Sequence, residues 1–322
     1  MHASRRALAA LPVAGLAAAG ARSQEAFPSR NLRFVVPFPP GGASDALARI
    51  VATPLGTRLG RTVVVENRGG AGTTIGTAEV ARSAPDGHTL LLTALPFVIN
   101  QFAMPSLPYD PSRDFAPVAL LATGPVVLVA RNGLARNWAE VAAAARARPG
   151  ALTFCSAGNG SLPHVAFELL KLRSGIDVLH VPYRGGGPAV IDLIAGRVDL
   201  MLASPLEVVT QIQAGQLTPI ASASARRIPL WPDLPTLQEA GVAEMDVNGW
   251  FGMAAPAATP EPVLDRLNAA AQATLSDPET RARLAEIGAE ATPGPRSAFS
   301  AWLEAARRRW SETVRAARIR IE

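Results

Sequence analysis

Apolar positions along this chain follow two rhythms. Short runs rich in leucine and β-branched residues alternate with longer stretches in which apolar side chains recur three and four positions apart. Leu32–Val36, Thr62–Glu66 and Thr89–Thr93 predict strands with helices between them. A second series, Pro125–Ala130, Leu152–Cys155, Val178–Pro182 and Val198–Leu202, repeats the pattern. Strand and helix in alternation predict an α/β protein whose sheets are mostly parallel and flanked by helices.

Several helix ends are legible. Asn137 followed by Glu140 has the side chains of a capping box, Thr259-Pro260 and Asp277-Pro278 place a cap before a first-turn proline, and Pro149-Gly150 closes a helix. Pro54 interrupts the first helical pattern. Near the C-terminus Phe299, Trp302, Leu303, Ala306, Trp310 and Val314 share one face, as expected of a helix docked on a lobe, while Arg307, Arg308, Arg315 and Arg318 form a solvated face. The proline-rich stretches Pro105–Pro117 and Pro229–Pro235 are expected to be ordered connecting loops. No internal repeat is visible.

Composition narrows the function. With 322 residues, 48% hydrophobic and 18% charged, the chain suits two packed domains rather than a disordered one. Cys155 is the only cysteine, which excludes an internal disulfide framework, and four scattered histidines give no zinc pattern. Neither a metal nor a cofactor is expected. A net charge of +5 raises the possibility of nucleic acid, but the basic residues are dispersed and aromatics make up only 5%, so nucleic acid is not an expected partner. Arg5 and Arg6 precede the alanine-rich run Ala7–Ala19, and Ala19-Gly20-Ala21 supplies small residues for cleavage. Residues 1–21 are therefore expected to be a signal peptide, read by ordinary secretion or by the twin-arginine route.

The candidate chemistry sits in four turns that each carry a strand into a helix. The first, around Pro37–Asp45, exposes backbone N–H groups at the positive end of a helix, where a carboxylate or phosphate binds; equally, Ser44 or Asp45 capping a helix from Ala46 explains the same residues. The second, Asn67–Gly76, has glycines spaced too widely for a dinucleotide fingerprint and fits tight helix packing. The third, Ser156–His164, joins short polar side chains to glycines. It invites comparison with a hydrolase using Ser156 or Ser161 with His164, although the G-x-S-x-G pattern is absent. The fourth, His180–Pro188, carries Arg184, suited either to a forked contact with a carboxylate or to a salt bridge with an acidic neighbour. Four donor-rich turns with little catalytic equipment describe a protein that holds rather than reacts.

Taken in order, VVPFPPGGASDALARI, VVVENRGGAGTTIGTAEVARSAPDGHTLLL, LPYDPSRDFAPV, SAGNGSLPHVAFELL, HVPYRGGGPAVIDLIAGRVDLM, LPTLQEAGV and GWFGMAAPAATP resemble the Bug-type receptors, the substrate-binding proteins of tripartite tricarboxylate transporters. The resemblance covers nearly the whole mature chain. It implies a two-lobed, type II periplasmic-binding-protein fold, with the first lobe over residues 22–124, the second over 125–224, and a return to the first over 225–322. It further implies a periplasmic monomer, no catalytic residue, a small carboxylate ligand in the cleft between lobes, and inner-membrane permease subunits as partners. The ligand contacts expected in the first lobe are Phe38, Pro40, Gly41, Gly42, Ser44, Asp45 and Thr93. In the second they are Ser156, Gly158, Asn159, Ser161, His164, Tyr183, Arg184 and Ser204. The chain departs from relatives at Leu202, Ala203 and Ser204, where an aromatic residue and an aspartate are common, and at Gly72-Thr73-Thr74, which replaces a more glycine-rich stretch. With no acidic contact near Ala203, a dicarboxylate or an aromatic acid is the expected ligand rather than one carrying an amino group. A sensor subunit without a permease remains an alternative to a transport receptor.

Overall fold

A computed structural model describes residues 27–321; the leader expected over residues 1–21 lies outside them. Following the chain, β1 (Leu32–Val36), α1 (Ala43–Leu59), β2 (Val63–Asn67), α2 (Thr74–Ala81), β3 (Thr89–Thr93) and α3 (Leu95–Ala103) come first. The long β4 (Phe115–Pro125) leads almost directly into β5 (Val127–Arg131), with Val126 alone between them. Next come α4 (Trp138–Ala147), β6 (Thr153–Ser156), α5 (Leu162–Ser174), β7 (Leu179–Pro182), α6 (Gly186–Ile194), β8 (Leu200–Ala203), α7 (Pro205–Gln213) and β9 (Leu217–Ser222). Finally β10 (Asn248–Pro256), α8 (Glu261–Ser276), α9 (Pro278–Glu286), the two-residue β11 (Glu290–Ala291) and α10 (Arg296–Ala316) close the chain.

Two sheets result, ordered β11-β4-β10-β3-β1-β2 and β7-β6-β8-β5-β9. In the first, β1 pairs in parallel with β2 and β3, while β10 runs antiparallel to β3 and β4. In the second, β6 is parallel to β7 and β8, while β5 runs antiparallel to β8 and β9. Both sheets are thus mixed, each keeping a co-directional majority with one reversed strand inside it, and the edge strand β11 of the first also runs against its neighbour β4. The inner reversed strands, β5 and β10, are the ones by which the chain enters the second sheet and returns to the first. Residues 223–247 still pack with the second sheet, through Ala223 N–H to Val126 O and Val247 N–H to Ala223 O, so the return is made by β10 itself.

Among the described residues, three apolar clusters hold the fold together. One lies between the first sheet and α1, α8 and α9, with Phe34, Leu47, Leu55 and Leu267 wholly buried. A second lies under α6 and α7 against the other sheet, with Cys155 among its buried members. The largest runs from Val35 and Leu91 through Phe299 to Phe154 and Leu200, joining both sheets. The C-terminal helix supplies this bridge, since α10 packs on α3, β4 and α5 rather than on one lobe. Among the described residues no helix is long and apolar enough to cross a membrane.

Local sequence explains several departures from expectation. Helix α1 starts at Ala43 with Gly42 as its cap, so Ser44 and Asp45 lie inside its first turn, and it continues through Pro54 without ending. Asn137 and Asp277 cap as expected, but α8 starts after Pro260 and the buried Thr259 hydroxyl has no partner. Pro117 and Pro219 sit within β4 and β9, each beside a register shift. At a bulge the missing N–H of proline costs no ladder bond, so the stretch read as a loop to Pro117 ends instead as a strand. In β10, a side chain at Gly252 would overlap the Phe299 ring and the Thr93 hydroxyl, so glycine there lets α10 approach the sheet.

Candidate functional site

A cavity of about 930 Å³ lies between the two sheets. Its walls come from the segments that follow the carboxyl ends of the parallel strands, where open α/β sheets collect their ligands. Each of the four turns picked out by sequence contributes: Phe38–Ser44, Gly70–Gly72, Ala157 with Ser161–Pro163, and Arg184–Gly187. The two crossing strands form the floor at Gly124–Val126 and Gly249–Phe251, where Gly249 stands opposite Gly124 in register.

Helix starts dominate these walls. The first residues of α1, α3, α5 and α6 reach the cavity, as do Ser204 and Glu207 at the start of α7. At the caps of α1, α3, α5 and α6, which are Gly42, Ala94, Ser161 and Gly185, no side chain accepts from the helix's own N–H groups. By contrast, α4 and α9, which do not line the cavity, are capped by Asn137 and Asp277. A helix leaves four N–H groups unpaired at its start and carries about half a positive charge there. Uncapped starts facing one another across a cavity therefore offer donors and positive potential without a titratable base. Helices α3, α5 and α6 have proline in the first turn, which removes one donor each, whereas α1 keeps its full set.

The first turn is braced from behind. Gly41 adopts a left-handed φ of +85°, and its N–H donates to Asp45 Oδ2 at 3.0 Å. Asp45 also accepts from Arg49 Nε at 3.0 Å. Burial opposes the charge on Asp45, but the donors from Arg49 and Gly41 outweigh it and hold the carboxyl below its ordinary range. Asp45 thus shapes the turn and does not itself line the cavity.

Of the other expected contacts, Phe38, Pro40, Gly41, Gly42, Ser44, Ser161, Arg184 and Ser204 line the cavity. Thr93 is buried behind the wall beside Gly252, and Asn159 is exposed on the loop. Gly158 lies against the Tyr183 carbonyl, and the Tyr183 hydroxyl donates to Asp192 Oδ2 at 2.7 Å; desolvation, aided by this bond, pushes the hydroxyl up to about 12. Ser156 is wholly buried and pairs with His180 Nε2 at 2.7 Å. The His180 ring stacks on His164 with centroids 4.0 Å apart, and His164 Nδ1 accepts from Gly160 N–H at 3.0 Å. Burial drives His164 down to about 4 and His180 to about 3, so both rings are neutral at pH 7. This stack supports the turn from below. His164 spends its Nδ1 on the backbone instead of on Ser161, while Ser156, paired with His180, is wholly buried away from the cavity, so neither serine combines a paired base with access to the cavity as a hydrolase requires.

The rest of the lining is largely apolar, with Leu95, Leu162, Leu202, Trp250, Phe251 and Ile287. Only Arg184 and Glu207 carry charge among the described lining residues. Glu207 was not among the residues expected from sequence, yet Ser204-x-x-Glu207 has capping-box spacing and was legible as such. In the structure Glu207 Oε2 accepts from Ser204 N–H at 3.0 Å. The premise that no acidic group faces the cavity near Ala203 is therefore corrected: the carboxyl arrives one helical turn later.

Known proteins resemble this chain over most of its length. The model for "Tripartite tricarboxylate transporter family receptor" matches residues 47–317. A Pseudomonas sp. (strain P51) protein, described as a UPF0065 protein in the tcbD-tcbE intergenic region, is 40% identical over 314 residues, covering 96% of this chain and 93% of its own. Among solved structures, R. palustris Rpa4515 with adipate superposes with a TM-score of 0.85 at 33% identity, over 91% of this chain and 99% of its own. MatC (Rpa3494) from Rhodopseudomonas palustris, with bound malate, gives 0.81 at 34% identity, over 89% and 100%.

Proposed function

Since the chain belongs to the tripartite tricarboxylate transporter receptor family, we propose that it is an extracytoplasmic solute-binding protein that captures a small carboxylate in the cavity between its two sheets. The observation that carries this reading is the set of uncapped helix starts around that cavity. A carboxylate there accepts hydrogen bonds from backbone amides that no side chain caps, and the apolar lining takes the rest of the ligand. The adipate and malate bound in the two neighbours support the same chemical class. Because both crossings between sheets pass through the cavity floor, a ligand touching both walls favours rotation of one sheet toward the other about β4 and β10. The closed form is then presented to permease subunits in the inner membrane, and the protein works in the periplasm.

Isothermal titration with hexanoate, adipate and the neutral isostere hexanamide tests the reading. Binding of a carboxylate and none of hexanamide is the expected result; at ~100-fold over its dissociation constant the ligand adds ~2.7 kcal/mol of stability. Equal binding of hexanamide, or turnover of a carboxylate ester that is lost on Ser161→Ala, contradicts it.

A further inference from the structure

The reading above accounts for the amides and the apolar lining but leaves the cavity's carboxyl without a task. Glu207 lies in the first turn of α7 with Oε2 held by the Ser204 N–H. Its other oxygen, Oε1, accepts no hydrogen bond among the described residues. Glu207 is also not paired with Arg184, the other charged residue of the lining. Around it, the Leu202 and Ala203 side chains offer no donor, and Oε1 lies where a Cβ on Gly186 would sit. A side chain at Gly186 would overlap Oε1, and the backbone there is of a kind any residue adopts, so glycine at this position makes room for the carboxyl rather than for a turn. Desolvation by the surrounding protein pushes the Glu207 carboxyl above its ordinary range, outweighing the Ser204 N–H and hydroxyl that favour its charged form.

We propose that Glu207 is the specificity-determining residue of the cavity and receives a protonated amine on a ligand whose carboxylate is held at the helix starts. This assignment rests on the carboxylate-capture reading. An ammonium group supplies the donors that Oε1 lacks and cancels the charge of the carboxylate, whereas a second carboxylate brought to the same place adds like charge in a site partly withdrawn from solvent. Arg184, exposed at the rim, steers the acid end of such a ligand inward.

Four probes with a six-carbon chain separate the possibilities: hexanoate, adipate, 6-aminohexanoate and norleucine, the last two carrying the amine at opposite ends. Titrations use the mature wild-type protein, Glu207→Gln, which keeps an acceptor for Ser204, and Gly186→Ala, which displaces the carboxyl. The wild type is expected to bind one amino compound more tightly than hexanoate. Glu207→Gln is expected to weaken that compound by about tenfold or more, the worth of a hydrogen bond to a charged group, to leave hexanoate within about twofold, and to tighten adipate; Gly186→Ala shifts the same ratio in the same direction. A general loss of fold would lower all four together and is read out separately by thermal denaturation, so the ratio between probes reports the role of the carboxyl. Hexanoate binding with no amine preference, or a preference that Glu207→Gln leaves intact, overturns the assignment alone. Binding of none of the four overturns the carboxylate-capture reading, and the assignment with it.

Discussion

Replacing Gly41 by alanine isolates the conformation of the first turn from everything around it. The residue has a φ of +85°, and an added Cβ would meet nothing within 4 Å, so the change brings no clash. Its cost is the left-handed conformation, about 1–2 kcal/mol for a residue with a Cβ. The turn can respond by keeping its shape and losing that stability, or by rotating to negative φ and losing the alignment of its amides. The bond from Gly41 N–H to Asp45 Oδ2 decides between them. A hydrogen bond to a charged group is worth about 1.5–3 kcal/mol, which matches or exceeds the strain, so the turn is expected to hold. Urea denaturation followed by circular dichroism should then show Gly41→Ala less stable by about 1–2 kcal/mol. Calorimetric titration with adipate should give a dissociation constant within about twofold of wild type. Adding Asp45→Ala releases the brace, and the double variant should bind adipate about 5–30-fold more weakly. A single variant that keeps its stability and loses affinity would refute the bracing role of Asp45. One in which neither the single nor the double change affects binding would remove the turn from the site.

Three further outcomes follow from the same geometry. His164 and His180 are held neutral, with folded values of about 4 and about 3 against an ordinary 6.5; the unfolded chain binds protons first, so their stabilisation is complete above pH 6.5 and is lost as the pH falls toward 3, and ring nitrogen shifts in NMR titrations should stay those of neutral imidazole at pH 5.5. Phe299 is wholly buried against Gly252 at the junction of the two sheets, and Phe299→Ala should cost about 3–5 kcal/mol in urea denaturation without removing the helix starts from the cavity. Asn137→Ala removes a cap from a helix outside the cavity and should lower stability by about 0.5–2 kcal/mol while leaving the adipate dissociation constant unchanged.

What the sequence made legible follows from which residues speak locally. Strands β1 and β3 and the turns after β1, β2, β6 and β7 were readable because uninterrupted apolar runs end in glycine clusters, a pattern that needs no tertiary context. Strands β4, β9 and β10 were not, since Pro117, Pro219 and Gly252 normally argue against a strand; they are tolerated by register shifts with a partner strand distant in sequence, or by a ring on α10. The same blindness explains the site. Ser156, His164 and Tyr183 carry the polar groups that catch the eye, but the fold commits them elsewhere, to His180, to Gly160 N–H and to Asp192. Conversely, Leu95, Trp250 and Ile287 reach the cavity from segments with no chemical signal at all. Glu207 reads as an ordinary capping residue until the start of α6 is seen beside it.

The account as a whole stands on backbone amides, at helix starts on both sheets, as the grip on an acid. A crystal structure of the mature protein with bound adipate tests this most directly. Its carboxylate oxygens should lie roughly 2.7–3.2 Å from amide nitrogens of the Gly42–Ser44 turn and of the start of α5. Adipate found outside the cavity, or held within it by side chains alone with those amides turned away, would contradict it.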